Sequence, residues 1–362
     1  VKLVAAIKLL PSPEKADTLR ATLRRCNEAA TWLAATGFDA GKFRQFDLQK
    51  IAYYDLRERF GLTAQVAIRT IAKVADAFKV NRRAAPVFRL DAAQPYDDRI
   101  IRFVEGGTAV SIWTVEGRIV VDLVMGEHQR RLMAYRKGEV DLCFVRGKWY
   151  LAATCDVPEI EAFDPKDWLG VDLGLVNIAA DSDGMLHSGA DIERVRSRLA
   201  RRKAGLQGRG TKAAKRRLCK LAGREARFRK HVNHEISKVL VATAERTGRG
   251  IALEELTHIR RRVTARRGQR ARLHSWSFAQ LRAFVSYKAK RAGVPVLFVD
   301  PRYTSQACSR CGCIDRKNRP DQATFLCTSC GHADAADLNA ARVIRARAKV
   351  TSPECSQAAL AA

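Results

Sequence analysis

Cys308, Cys311, Cys327 and Cys330 stand as C-x2-C, fifteen residues, C-x2-C, with Gly312 and Gly331 directly after the second and fourth cysteines. That spacing aims four thiolates at one tetrahedral Zn2+ and so fixes a ribbon at residues 301–336, whatever surrounds it. Asp334 and Asp337 follow at once and lead into LNAARVIRARA, a run of strong helix formers. The ribbon therefore delivers acidic side chains to the start of a helix.

Charge narrows the partners. The chain has 66 Lys and Arg against 38 Asp and Glu, a formal +28 on 362 residues. A surplus of that size points to a polyanion, whose released counterions supply much of the binding free energy. Nucleic acid is favoured over membrane, because no apolar run approaches the roughly 20 residues of a spanning helix and no signal-peptide pattern is read at the start. The cysteines outside the metal spacing, Cys26, Cys143, Cys155, Cys219, Cys313 and Cys355, are scattered singly. Such scatter fits a reducing cytoplasm, and the expected location is cytoplasmic, on the nucleoid. Length and the 47% hydrophobic content predict roughly two to three domains.

Residues 2–9 read as a strand, stopped by Pro11-Ser12-Pro13, which also supply an N-cap and a proline at the first helical position. The helix that follows sets Leu19, Leu23, Cys26, Ala30 and Leu33 on one face. Further helices are predicted from Asp47 and over 63–79, the latter with Ile68, Ile71, Ala75 and Phe78 inward. Lys50, Arg57, Arg59, Arg69 and Lys73 are expected on solvated outer faces. From Pro86 to Cys155 the period changes to two, with hairpin turns at Glu116-Gly117 and Arg146-Gly147. Together with the first strand these segments predict a small closed barrel, a shape that either binds oligonucleotides or serves as a scaffold.

After a linker at 158–166 comes an apolar strand carrying Asp172, then a turn at Asp183-Gly184. Residues 191–240 read as a helical hairpin broken near 205–210. Between Arg194 and Lys238 there are seventeen Lys or Arg against Glu225 and Glu235, which predicts a phosphate-lined channel with Arg224, Arg227, Arg229 and Lys230 as contacts. His231 and His234 have no third ligand nearby and are read as polar groups on that basic face. A strand ends in Glu254-Glu255. Seven arginines between 260 and 272 are expected to form a loop that orders on nucleic acid. A helix over 276–292 and the strand PVLFVD lead back to the ribbon. This order predicts an α/β RNase H-like fold in which Asp172, Glu254 and Asp337 converge at one sheet edge. Three such carboxylates suit two Mg2+ ions about 4 Å apart, one activating water and one stabilising the leaving 3′ oxygen, with Asp172 bridging both.

GVDLG at 170–174, LEEL at 253–256, YKAKRAGVPVLFVDPRYTSQACSRCG, FLCTSCG and ADLNAAR closely resemble the TnpB (OrfB) family, insertion-sequence-encoded, RNA-guided RuvC-like endonucleases related to compact type V CRISPR effectors. The resemblance runs along essentially the whole chain and is most specific over 285–342. It implies a guide RNA from the element end, a double-stranded DNA target bound beside a short motif and unwound, and cleavage at one RuvC site; the oligomeric state is left open, with a monomer favoured. It implies a wedge β-barrel (1–10 and 86–160), a helical recognition module (11–85), a RuvC-like nuclease domain (165–300 and 337–362) and an inserted zinc ribbon that binds target nucleic acid (301–336). Asp172, Glu254 and Asp337 become the catalytic, Mg2+-binding acids. Asp334 is set aside, because the family's third acid stands in the D-x-N-A-A context. Gln65 and Arg69 are the expected readers of the adjacent motif. The chain departs from the family in having Glu255 where Asp is frequent, and in the extra Cys313, an alternative ligand that the spacing ranks behind Cys311. The alternatives are a nuclease-inactive RNA-guided repressor and a CRISPR effector; a strand-transferring transposase is disfavoured, since no tyrosine nucleophile context is apparent.

Overall fold

The computed structural model describes residues 1–256 and 278–351, so the arginine run at 260–272, the helix start at Trp276 and Cys355 lie outside the described residues. The chain divides into two compact units, Val1–Val157 and Pro158 onward.

The N-terminal unit runs β1 (Lys2–Leu10), α1 (Pro13–Asp39), α2 (Gln45–Glu58), α3 (Ala64–Val80), β2 (Gln94–Tyr96), β3 (Ile101–Val104), β4 (Ala109–Thr114), β5 (Gly117–Val124), α4 (Glu127–Met133), β6 (Arg136–Val145) and β7 (Lys148–Asp156). Ser12 caps α1 by accepting from the Lys15 N–H at 3.3 Å, with Pro13 in the first turn. The strands form one antiparallel sheet ordered β2-β6-β7-β1-β5-β4-β3, in which the first strand of the chain sits centrally. The sheet is nearly closed, with β2 and β3 as its two edge strands. Closure into the expected barrel fails at β2, which is three residues long and contains Pro95, a residue with no N–H for a further ladder. The first hairpin loop is Val115-Glu116, one residue earlier than expected, with Gly117 already paired to Thr114.

Helices and sheet share one apolar core that joins Ile7 and Leu9 to Leu19, Leu23, Leu33, Ile71, Phe78, Val110 and Leu151. Ile68 is only half-buried. Two of the basic residues expected on solvated faces are engaged instead. Arg69 pairs with Glu139 and lies 3.5 Å from Asp97. Lys73 donates to Asn27 Oδ1 at 2.5 Å, and burial pushes its ammonium down to about 8.

The C-terminal unit comprises β8 (Trp168–Asp172), β9 (Asn177–Asp181), β10 (Leu186–Ser188), α5 (Ala190–Arg209), α6 (Lys212–Leu221), α7 (Arg224–Arg246), β11 (Gly250–Glu254), α8 (Phe278–Ala292), β12 (Val296–Val299), β13 (Thr324–Leu326), β14 (Ala333–Ala335) and α9 (Ala336–Thr351). The predicted helical hairpin is three helices. Gly205 and Gly208 continue α5, while the chain turns at Gly210, whose φ of 63° is the left-handed helix stop that glycine favours, and again at Gly223.

The five-stranded sheet is ordered β10-β9-β8-β11-β12. β9 runs antiparallel to β8 and β10, whereas β8, β11 and β12 are parallel. Period-two alternation divides the faces of the central strands. Leu169, Val171, Ile251 and Leu253 meet the apolar sides of α7 and α8. Trp168 and Ala252 point the other way and pack with Ile344 and Ala348 of α9. Asp172 and Glu254 continue that second alternation, so both belong to the α9 face.

A carboxylate centre and a cysteine knot

Asp172 and Glu254 each stand one residue past the Leu253–Val171 rung of two adjacent parallel strands. Asp337 lies in the first turn of α9, which packs over the same face. The three predicted acids are thus brought together from three elements. Burial, with the neighbouring carboxylates of Glu254 and Asp337, pushes Asp172 up to about 8 against the lowering pull of Arg319. Glu254 is also raised, again first by burial, while the Thr304 hydroxyl and Arg347 oppose the shift. Asp337 accepts from Asn177 Nδ2 at 2.8 Å and lies 3.9 Å from Arg319. A cavity of about 510 Å3 opens on Asp172 and Asp337, with Asn177, Arg319 and Gln322 on its wall. Asp334, set aside in the sequence, is taken up by Arg342.

Ahead of α9 the four predicted cysteine sulfurs all lie within 4.8 Å of one another. Cys308 and Cys330 are 3.7 Å apart and Cys311 and Cys327 3.6 Å. Tetrahedral Zn2+ with bonds of about 2.3 Å has sulfur–sulfur edges of about 3.8 Å, so the knot fits such an ion. Cys313 is outside the cluster; its carbonyl accepts from the Cys308 N–H at 2.9 Å. Backbone N–H groups of Cys330 and Ser329 draw the Cys327 thiol down, toward the thiolate a metal needs, while Cys330, against the lowering pull of the His332 N–H, is pushed up by hydrogen bonds from its fellow cysteines. Buried Asn318 ties the two knuckles: its Nδ2 donates to the carbonyls of Gln306 and Cys313, and its Oδ1 accepts from Thr328.

The nucleic-acid candidates fare unevenly. Arg224, Arg227 and Lys230 are exposed on α7. Arg229 is not free for phosphate, because it is half-buried and lies 3.6 Å from Glu225. His234 stacks on Phe284 at 3.9 Å, in keeping with a structural role for that histidine. Gln65 bonds to Asp97 and accepts from Arg99, and Arg69 is held by Glu139. Asn177, Thr304, Arg319 and Asn339 touch the centre or the knot and were not singled out from the sequence. The one available signal was Asn339 inside the D-x-N-A-A string.

A carboxylate centre on a mixed α/β sheet, with a cysteine knot inserted ahead of the last helix, fits the RuvC-like nuclease fold that the sequence resemblance implies. Comparison with known proteins agrees with the TnpB (OrfB) resemblance. Residues 154–257 match the family model OrfB_IS605, described as a probable transposase, and residues 278–344 match the Cas12f1-like TNB domain. The CRISPR-associated endodeoxyribonuclease Cas12f1 of Sulfoacidibacillus thermotolerans is 35% identical over 217 residues, 55% of this chain and 50% of that protein. The TnpB-like protein MJ0751 of Methanocaldococcus jannaschii is 38% identical over 112 residues, 31% of this chain and 40% of that protein. The matches thus span half or less of these relatives. The fold is shared with the mini-RNA-guided endonuclease CRISPR-Cas_phi3, at a TM-score of 0.56 and 11% identity, covering 97% of this chain and 92% of that one. Among the described residues no helix is long and apolar enough to cross a membrane.

Proposed function

We propose that this chain is an RNA-guided DNA endonuclease of a transposable element, cutting phosphodiester bonds at Asp172, Glu254 and Asp337. The observation that carries the reading is the convergence of these acids, two of them shifted upward by burial and one by its fellow carboxylates as well. Such a cluster is costly unless cations compensate it. Three hard oxygen donors in one place fit Mg2+. When bound there, Mg2+ supplies water activation and stabilisation of the leaving oxygen. Asn177 and Arg319 orient Asp337, and the cavity beside Asp172 gives a phosphodiester room to approach. A nuclease-inactive repressor is disfavoured because all three acids are present and assembled.

Under this reading the recognition segment (11–85) and the wedge segments (1–10 and 86–160) belong to the N-terminal unit except for residues 158–160, which fall past its end at Val157, and the nuclease domain with its ribbon belongs to the other. Exposed Arg224, Arg227 and Lys230 serve guide or target phosphates. The cysteine knot holds Zn2+ with four protein ligands and no open position, so its role is structural. Cys327→Ser with Cys330→Ser should abolish zinc content in metal analysis and lower the melting temperature, since structural zinc contributes folding free energy. A double variant that melts like the parent would make the ribbon dispensable.

The deciding experiment is to sequence RNA that co-purifies with the protein, then offer the complex matching DNA with a randomised flank, with and without Mg2+. The expected result is one defined RNA and Mg2+-dependent cuts beside one short motif. Intact DNA in the presence of both RNA and Mg2+ would overturn the proposal.

A further inference from the structure

The knot reaches the carboxylate centre by specific hydrogen bonds. Thr304, four residues before Cys308, is buried, and its single hydroxyl hydrogen has buried Glu254 and the Pro301 carbonyl as acceptors. The charged acceptor is the stronger of the two. On the other side, Asn339 is fully buried two residues after Asp337. Its Nδ2 donates to the Ala307 carbonyl at 2.8 Å, and its Oδ1 accepts from the Ser309 N–H at 3.0 Å. Ala307 and Ser309 flank Cys308. The first cysteine knuckle is therefore bonded to the helix turn that bears Asp337, and the turn that leads into that knuckle is bonded, at Thr304, to the strand end that bears Glu254. A third strut leaves the ribbon at Arg319, directly after the knuckle-bridging Asn318, and ends 3.9 Å from Asp337.

Ordinary packing does not require this pattern. An apolar residue at 304 or 339 would fill the same volume, yet each position holds a polar side chain whose partner lies 50 or 32 residues away in the chain. Buried side-chain hydrogen bonds of this kind fix direction as well as distance, and direction is what a carboxylate needs in order to share a cation with its neighbours.

We propose that Thr304 and Asn339 are positioning residues that fasten Glu254 and Asp337 to the first cysteine knuckle, so that the metal-held ribbon sets the geometry of the carboxylate centre. The inference rests on the nuclease reading for what that centre binds. The test is titration of the full-length, zinc-loaded protein with Mn2+, comparing the parent with Thr304→Val, Thr304→Ser and Asn339→Ser, alongside zinc content and a thermal melt. Thr304→Val should weaken Mn2+ binding by about 10- to 100-fold, the range for partners that orient metal ligands. Zinc content should stay unchanged, and Thr304→Ser should restore the affinity. Asn339→Ser gives an independent measurement if Thr304→Val does not fold. Parental Mn2+ affinity in either folded variant overturns the positioning role. A parent protein whose Mn2+ binding is absent, or unaltered by Asp172→Asn, overturns the nuclease reading instead.

Discussion

Asp172→Asn is expected to lower DNA cleavage by about a thousandfold or more while making the metal-free protein more stable at alkaline pH. Under the proposed nuclease reading the loss follows from removing a charged ligand where several kcal/mol of transition-state stabilisation would arise, at one factor of ten per about 1.4 kcal/mol. The gain follows from Asp172 standing at about 8 in the folded chain against about 3.9 in an unfolded one. Between those values the folded state holds a proton that the unfolded state has lost. The stability from this group is therefore fully present below about pH 4 and is lost as pH rises through about 8. Asparagine carries no charge and escapes that loss. Melting the parent and the variant in Mg2+-free buffer at pH 6 and pH 9 should show the curves separating at the higher pH, with the variant above. A bound cation must displace the same proton, so Mg2+ affinity of the parent should climb toward pH 8. A variant that cuts like the parent would remove Asp172 from the chemistry, and one that melts lower at pH 9 would show that its carboxylate is compensated.

The cysteine knot, Asp172 and Glu254 were legible because each carries a local signal, whereas only the family resemblance separates Asp337 from Asp334. Four cysteines at fixed spacing have one economical geometry, and an acid at the end of an apolar strand stands out against its neighbours. Alternation even contains the face: Trp168, Gly170 and Asp172 share one side of β8, and Ala252 and Glu254 share that side of β11. The struts were illegible for the opposite reason. Asn177 meets Asp337 across 160 residues and Thr304 meets Glu254 across 50, and no local period marks a polar residue for a partner that remote. Helical periodicity likewise placed Arg69 and Lys73 on an outer face of α3, correctly for an isolated helix, but could not foresee Glu139, or Asn27 from a different helix, meeting that face. The uniformly basic run from 194 hid the turn at Gly223, because its composition hardly changes there.

Gly170→Ala is expected to damage stability and cleavage together, since the backbone of α9 lies directly against this glycine of β8. A Cβ at 170 would lie 2.1 Å from the Ala341 carbonyl oxygen, 2.6 Å from the Arg345 N and 2.9 Å from the Arg345 Cβ. Two of those three atoms are backbone, so no side-chain rotation relieves the clash, and the helix itself must move. Its freedom to move is small: Arg345 and Lys349 pair with Asp167 at the start of β8, and Asn339 is bonded to the ribbon. Overpacking of this kind costs about 1–3 kcal/mol, or roughly 3–10 °C of melting temperature for a unit of this size. Restoring an ordinary carbon–oxygen contact needs a shift of about 1 Å, which at a reacting centre can cost about a hundredfold in rate. That shift also carries Asp337 away from Asp172, so Mg2+ affinity should fall with the rate. Two residues of the same GVDLG string thus give opposite signatures at pH 9: Asp172→Asn loses cleavage and melts higher, whereas Gly170→Ala loses cleavage and melts lower. A Gly170→Ala protein that melts and cuts like the parent would mean that α9 does not hold Asp337 against β8, and the carboxylate centre would lose its architectural support.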